Sequence, residues 1–232
     1  MAHTLPSIVV YCPLNPVAPK VQPATVQSIL AMNWLGPLEI VLGREDMKKV
    51  PPRETVHENI TRKYNTARQI VLDGGYDALL TIEADMIVPD ITLRRMTMID
   101  ADVIYGLYVS RHGRRPWLAF DSLGGPPGQY SGASFSRLPE LCAKAWGNVV
   151  ESKGVGLGCT YIRREVLEAI EFRCAPDQQV ANDWMFALDV DRGGFSQVHD
   201  CGIECGHIDG DNIYWPTADG GNRTERLSEW HI

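Results

Sequence analysis

The apolar positions of this chain fall into short unbroken runs separated by amphipathic stretches. Ser7 to Cys12 is the first run, reading as a buried strand that stops in a proline-rich loop from Pro13 to Pro23. A short helix is expected over 24–32, and Leu38 to Leu42 reads as a second strand. Next comes the clearest helix. Thr55 and Glu58 have capping-box spacing, Ile60, Tyr64, Ala67 and Val71 recur on one face, and Asp73-Gly74-Gly75 ends it. Ala78 to Ile82 is another buried strand; Pro89 is placed to open a helix over 90–98, and 102–106 is strand again. Residues 111–150 are rich in Gly, Pro, Ser and aromatics, which suits either short strands or a long functional loop. Order returns over 154–162, followed by helices at 163–171 and 183–191 and a strand at 195–199.

Strands alternating with helices predict an α/β fold, a single domain with an open, mostly parallel central sheet flanked by helices. Such sheets bind ligands outside the carboxyl ends of their strands, where Tyr11, Glu83, Asp85 and Gly106 should emerge.

Composition narrows the class. With 44% hydrophobic and 22% charged residues in 232, the chain is long enough for one sizeable core and is not a disordered or fibrous sequence. The 22 basic against 29 acidic residues, net −7, argue against broad coating of nucleic acid. No apolar run approaches the ~20 residues of a membrane span. The start lacks a secretory-signal pattern, and the 6 scattered cysteines do not form a disulfide framework, so a cytoplasmic, reduced protein is expected.

Glu83 and Asp85 carry the strongest chemical signal. Residues two apart in extended chain point the same way, so both carboxylates can converge at the ligand-facing end of a strand. Hard oxygen ligands there suit Mg²⁺ or Mn²⁺ with substrate phosphates completing the shell; a merely solvated acidic strand end is the plain alternative.

The stretch from Asn59 to Met96, with Arg62, Asn65 and Arg68 on a helix before Leu79-Leu-Thr-Ile-Glu-Ala-Asp-Met-Ile-Val-Pro89, resembles the core of GT-A glycosyltransferases, especially family-2-like ones. The likeness is loose over 7–207 and sharp over 59–96, 154–164 and 182–207. It implies a catalytic domain at 1–207, with a polar C-terminal segment at 208–232 as a candidate lid over the site. The same resemblance implies a divalent cation and a nucleotide-diphosphate sugar, a UDP-sugar being the commonest choice. Asp85 would be the direct metal ligand and Glu83 the first motif acid, a Glu where the family has Asp. Tyr11 and Pro13 would face the base, Arg44 or Asp46 other nucleotide groups, and Arg62 or Arg68 the diphosphate or the acids. The loop after the first strand has no glycine between 11 and 20, which argues against a nucleotidyltransferase of related fold. A non-catalytic sugar- or nucleotide-binding module is the other alternative.

The remaining motifs stay open between a site and a structural reading. Ser110 to Trp117 packs three arginines, with Arg111 first, and can line the crevice against an anion or be a plain surface loop. Gly154-x-Gly-x-Gly158 lacks the spacing of a dinucleotide fingerprint and is either a sugar-facing wall or a turn. Asp183 is either a helix-terminal cap or, as the resemblance implies, the general base on the acceptor hydroxyl. His207 is a third metal ligand by the same resemblance, against a structural histidine or, with Cys201 and Cys205, a zinc site of unrecognised spacing. The acceptor is not specified by the sequence: a glycan, lipid-linked sugar, protein, metabolite or, as a minority case, a nucleic-acid base all fit. Neither oligomeric state nor stereochemistry is specified.

Overall fold

The computed structural model describes residues 4–14, 21–43, 55–111, 113–124, 131–135, 138–154, 156–175 and 182–231. The first half runs β1 (Ile8–Pro13), α1 (Pro23–Leu30), β2 (Leu38–Gly43), α2 (Val56–Gly74), β3 (Ala78–Ile82), β4 (Met86–Ile87), α3 (Thr92–Met96) and β5 (Val103–Leu107). The Thr55 side chain accepts from the Glu58 amide at 3.2 Å while Glu58 Oε2 accepts from the Thr55 amide at 2.7 Å, so both orphan donors at the start of α2 are satisfied. Gly75, left-handed at φ 71°, ends the helix. The second half runs β6 (Phe120–Gly124), β7 (Ser131–Ser134), α4 (Pro139–Ala145), β8 (Val149–Glu151), β9 (Cys159–Arg163), α5 (Arg164–Ala169), α6 (Asn182–Arg192) and β10 (Gln197–Glu204). It closes with β11 (Gly206–Asp209), β12 (Asn212–Pro216), β13 (Asn222–Arg226) and a 3-10 turn at Leu227–Glu229.

The central sheet has seven strands in the order β2-β1-β3-β9-β5-β10-β8. Strands β2, β1, β3, β5 and β10 share one direction, while β9 lies antiparallel between β3 and β5 and β8 lies antiparallel at the edge. Period-two alternation along each strand feeds two cores. Val9 and Tyr11 join Tyr64, Ala67 and Val71 of α2, Val166 of α5 and Phe186 of α6. Ile8, Val10 and Cys12 join Ile29 of α1 and Leu93 and Met96 of α3 on the other face. This is a mixed α/β fold with its helices on both faces of a mostly parallel sheet.

Three elements differ from their sequence expectation. The 90–98 helix contracts to Thr92–Met96, because the chain tightens into successive i→i+3 turns, Met98 N to Arg95 O and Ile99 N to Met96 O. Of the ordered stretch 154–162 only the part from Cys159 is strand, Gly156 and Gly158 before it lying against Tyr108. The segment from 208, expected as a polar tail, continues a β-meander. Strands β11, β12 and β13 extend from β4 as a four-stranded sheet, and Ile208, Ile213, Trp215, Leu227 and Trp230 pack with Ile87 and Ala24. Polar residues alternate with these apolar ones along each strand, which disguises the meander as a solvated tail. No helix among the described residues is long and apolar enough to cross a membrane.

Candidate active site

Strand β3 is buried throughout, and its carboxyl end delivers Glu83 and Asp85. The turn holding them is fixed at both sides. Glu83 N donates to Gly158 O at 3.1 Å, Met86 N to Glu83 O at 3.1 Å, and Ile208 N to Asp85 O at 2.8 Å. That last bond belongs to the meander: β11 pairs antiparallel with β4, Gly206 opposite Ile87 and His207 opposite Met86. Pairing therefore carries a histidine from the end of the chain to the acids. One ligand atom each from Glu83, Asp85 and His207 lie within 4.8 Å of one another.

The imidazole is set for a cation. His207 Nδ1 lies 2.7 Å from the Val109 carbonyl, an acceptor only, so Nδ1 carries the proton and donates. Nε2 is left buried, without a hydrogen-bond partner, 3.7 Å from Asp85 Oδ2. A carbonyl holding one ring nitrogen so that the other faces acids is how metal-ligating histidines are oriented. The donors are two carboxylates and one imidazole with no thiolate, which fits Mn²⁺ or Mg²⁺ better than a soft metal. The cysteines of the zinc alternative stand apart, Cys201 and Cys205 being fully buried core residues.

The electrostatics fit that use. Burial, then the charge of Asp85, push the Glu83 carboxyl up to about 7, with Asp183 adding to the rise. Burial also acts to raise Asp85, but His207 and Arg111 outweigh it and hold the carboxyl below its ordinary value. For His207 burial acts to lower the pKa, and the neighbouring Asp85 carboxylate reverses it to a net rise. Two carboxylates thus share a site that one ionises fully and the other does not, the charge state a divalent cation would resolve.

Around the acids stand residues that the hydrophobic pattern marks only as core. Tyr64 of α2 is buried with its hydroxyl 3.5 Å from Glu83 Oε1. Tyr108 accepts from the Gly158 amide at 3.0 Å and meets the His207 ring edge-on, centroids 5.8 Å apart. The glycine loop exists to admit this phenol. A Cβ on Gly158 would lie 2.8 Å from Tyr108 Cζ, and one on Gly156 would lie 2.4 Å from its hydroxyl. The same Cβ position on Gly156 would be 3.3 Å from Asp183 Oδ2, so the Tyr108 hydroxyl and Asp183 both approach the backbone at Gly156. A polar tip on an apolar stripe was the signal for both tyrosines.

Asp183 opens α6 and serves both readings at once. Its Oδ1 accepts from the Trp184 amide at 2.7 Å, as a helix-terminal acid does, while Oδ2 faces Gly156. Burial raises its pKa, the Trp184 amide opposing. Arg111 also joins the site, ion-paired through Nη1 to Asp85 Oδ2.

Other expected residues stand elsewhere. Arg68 was expected at the diphosphate or the acids; its Nε instead donates to Leu167 O at 2.6 Å and Ile170 O at 3.1 Å, closing the carbonyl end of α5. Asn65 pins Phe172 through a pair of bonds of 2.8 and 2.9 Å. Tyr11 was expected against a base, but strand alternation turns it into the α2 core, 1% exposed, with its ring over Gly43. Pro13 is half-buried at the carboxyl end of β1, opposite Gly43. Arg62 is half-buried on α2. Arg44 and Asp46 lie outside the described residues.

Comparison with solved structures places the fold. A crystal structure of A197 from STIV superposes with TM-score 0.61 at 15% identity, covering 97% of this chain and 96% of that one. At such identity the match shows the fold alone. S. aureus TarS 1–349 matches with TM-score 0.47 at 14% identity over 83% of this chain and 57% of that one. Its complex with UDP-GlcNAc gives TM-score 0.47 at 13% identity over 97% and 62%. No protein-family model and no curated protein matches the sequence.

Proposed function

We propose that the chain is a metal-dependent glycosyltransferase that moves a sugar from a nucleotide-diphosphate donor, a UDP-sugar in the first instance, to an acceptor hydroxyl. One observation carries this reading: Glu83, Asp85 and a carbonyl-oriented His207 converge within 4.8 Å at the carboxyl end of β3. Asp85 and His207 would hold a divalent cation, Mn²⁺ or Mg²⁺, with Glu83 completing or bracing the shell. Bound there, the cation would offset the charge that builds on a departing diphosphate. Arg111, ion-paired to Asp85, would turn toward the same phosphates. Pro13 at the end of β1 would border the nucleotide, and Arg62 and Arg44 remain candidates for its anionic groups.

Asp183 is the proposed general base. Its Oδ2 has no hydrogen-bond partner among the described residues, and burial raises its proton affinity, as taking a proton from an attacking hydroxyl requires. Gly156, having no side chain, lets the Tyr108 hydroxyl and that oxygen approach the same backbone position, a Cβ there lying 2.4 Å from the hydroxyl and 3.3 Å from Oδ2. The test is turnover of a panel of UDP-sugars with Mn²⁺, by wild type and by Asp183→Asn. The reading expects UDP release by wild type, and donor binding without release by the variant. Full turnover by Asp183→Asn assigns the residue to helix capping alone.

A further inference from the structure

A second concave surface lies on the far side of the meander from the acids. It is a groove of about 490 Å³, lined by Ser28 and Ala31 of α1, the segment Ile87 to Asp90, and Trp215 and Trp230. That volume falls within the range of small-ligand sites, about 300–1,000 Å³.

Its chemistry selects one kind of occupant. Both indoles are half-buried, each keeping part of its surface in solvent. Trp215 is pre-set: its Nε1 donates to Glu225 Oε2 at 2.9 Å, and the Arg223 guanidinium, which does not line the groove, sits 5.2 Å from its ring centroid. Ser28 is already spent, its hydroxyl donating to Thr25 O at 2.9 Å and accepting from Val88 N at 3.2 Å. Asp90 is the single charged lining residue; it is exposed and its carboxylate makes no hydrogen bond or ion pair among the described residues. With one acid and no cation among its described lining residues, the groove disfavours phosphates, so it is not a copy of the donor site. A solvated lone carboxylate holds a cation weakly. Two half-buried indoles beside a hydrogen-bond acceptor match a sugar ring, which packs its C–H face on an aromatic and donates hydroxyls to a carboxylate.

Ile87 of β4 lines the groove two residues after Asp85, the turn that carries the acids leading directly into β4. We propose that this groove is a subsite for a neutral saccharide, anchoring a glycan acceptor on the face of the meander away from the transfer site. The acceptor role rests on the glycosyltransferase reading; saccharide binding itself does not.

The experiment is ligand-observed saturation-transfer NMR and calorimetry on the whole chain with maltohexaose, cellohexaose, mannohexaose and chitohexaose at millimolar concentration. At least one should bind. Trp230→Ala should weaken it at least tenfold, Trp230→Phe should restore most of the loss, and Asp90→Asn should weaken it two- to fivefold, with Mn²⁺–UDP affinity unchanged throughout. No binding by any of the four overturns the proposal, as does binding that Trp230→Ala leaves intact. Occupation by a lysine-rich peptide that salt disperses, or a dimer that Trp230→Ala breaks without any saccharide bound, equally overturns it. If saccharide binds and Mn²⁺–UDP does not, the groove stands as a saccharide site and the donor reading falls.

Discussion

Arg111 closes an ion pair on Asp85 through Nη1 and the carboxylate oxygen Oδ2, the same oxygen that faces the imidazole of His207. The guanidinium thus neutralises the acid that a metal would claim, and the two cations compete for one oxygen. Arg111 is 45% exposed, so the pair is worth only about 0.2–1 kcal/mol after solvent screening. Arg111→Gln should therefore bind Mn²⁺ alone about two- to fivefold more tightly, and Mn²⁺–UDP more weakly, by calorimetry. Weaker binding of Mn²⁺ alone would show that Arg111 orders the site instead of competing for it.

The raised Glu83 carboxyl makes stability depend on pH in a known direction. Its folded pKa of about 7 lies above the ordinary 4.5, so between these values the folded protein holds a proton the unfolded chain has released. Stability from this group then falls as pH rises through about 7. The raised His207 acts with the same sign, its contribution being present below its ordinary value and lost as pH rises through the folded one. Asp85, lowered, acts only in acid, where its contribution is lost as pH falls through the folded value. Melting in EDTA should drop between pH 6 and pH 8, and Glu83→Gln should remove part of that drop, on the order of 1 kcal/mol. An equal drop in the variant would place the titration elsewhere.

Saturating Mn²⁺ should restore melting at pH 8 in wild type and not in His207→Gln. The imidazole nitrogen that the Val109 carbonyl orients is lost in that variant, and metal affinity should fall at least about tenfold. The apo variant should melt within a few degrees of wild type, since the β11–β4 pairing is made by backbone.

The close approach at Gly156 can be tested by adding a side chain there. A Cβ there would meet the Tyr108 hydroxyl at 2.4 Å, and overpacking of this kind costs about 1–3 kcal/mol. Gly156→Ala should lose that much stability and block transfer. Adding Tyr108→Phe removes the clashing oxygen, so the double variant should be more stable than additivity predicts, as urea melts of all four proteins would show.

The strand-to-acid junction at Ile82–Asp85, the capped helix α2 and the initial Asp183 of α6 were all legible in the sequence, because each is written in contiguous residues. What was hidden depends on pairing at a distance. The β11–β4 ladder that seats His207 beside Asp85 is specified by backbone bonds, which no local pattern announces. Tyr64 and Tyr108 sit on stripes that periodicity marks as core, and only their hydroxyls belong to the site. Arg68 erred in the other direction: a guanidinium suits phosphate, yet the bare carbonyls ending α5 claim it first.

Everything functional here turns on whether Asp85 and His207 hold a cation that a nucleotide diphosphate needs. The direct measurement is calorimetric titration of UDP into wild type and Asp85→Ala, each with Mn²⁺ and with EDTA, alongside their melting curves. The account predicts binding by wild type in Mn²⁺ alone, and its loss in Asp85→Ala with the fold intact. UDP binding of equal strength in EDTA, or undiminished in Asp85→Ala, would contradict it.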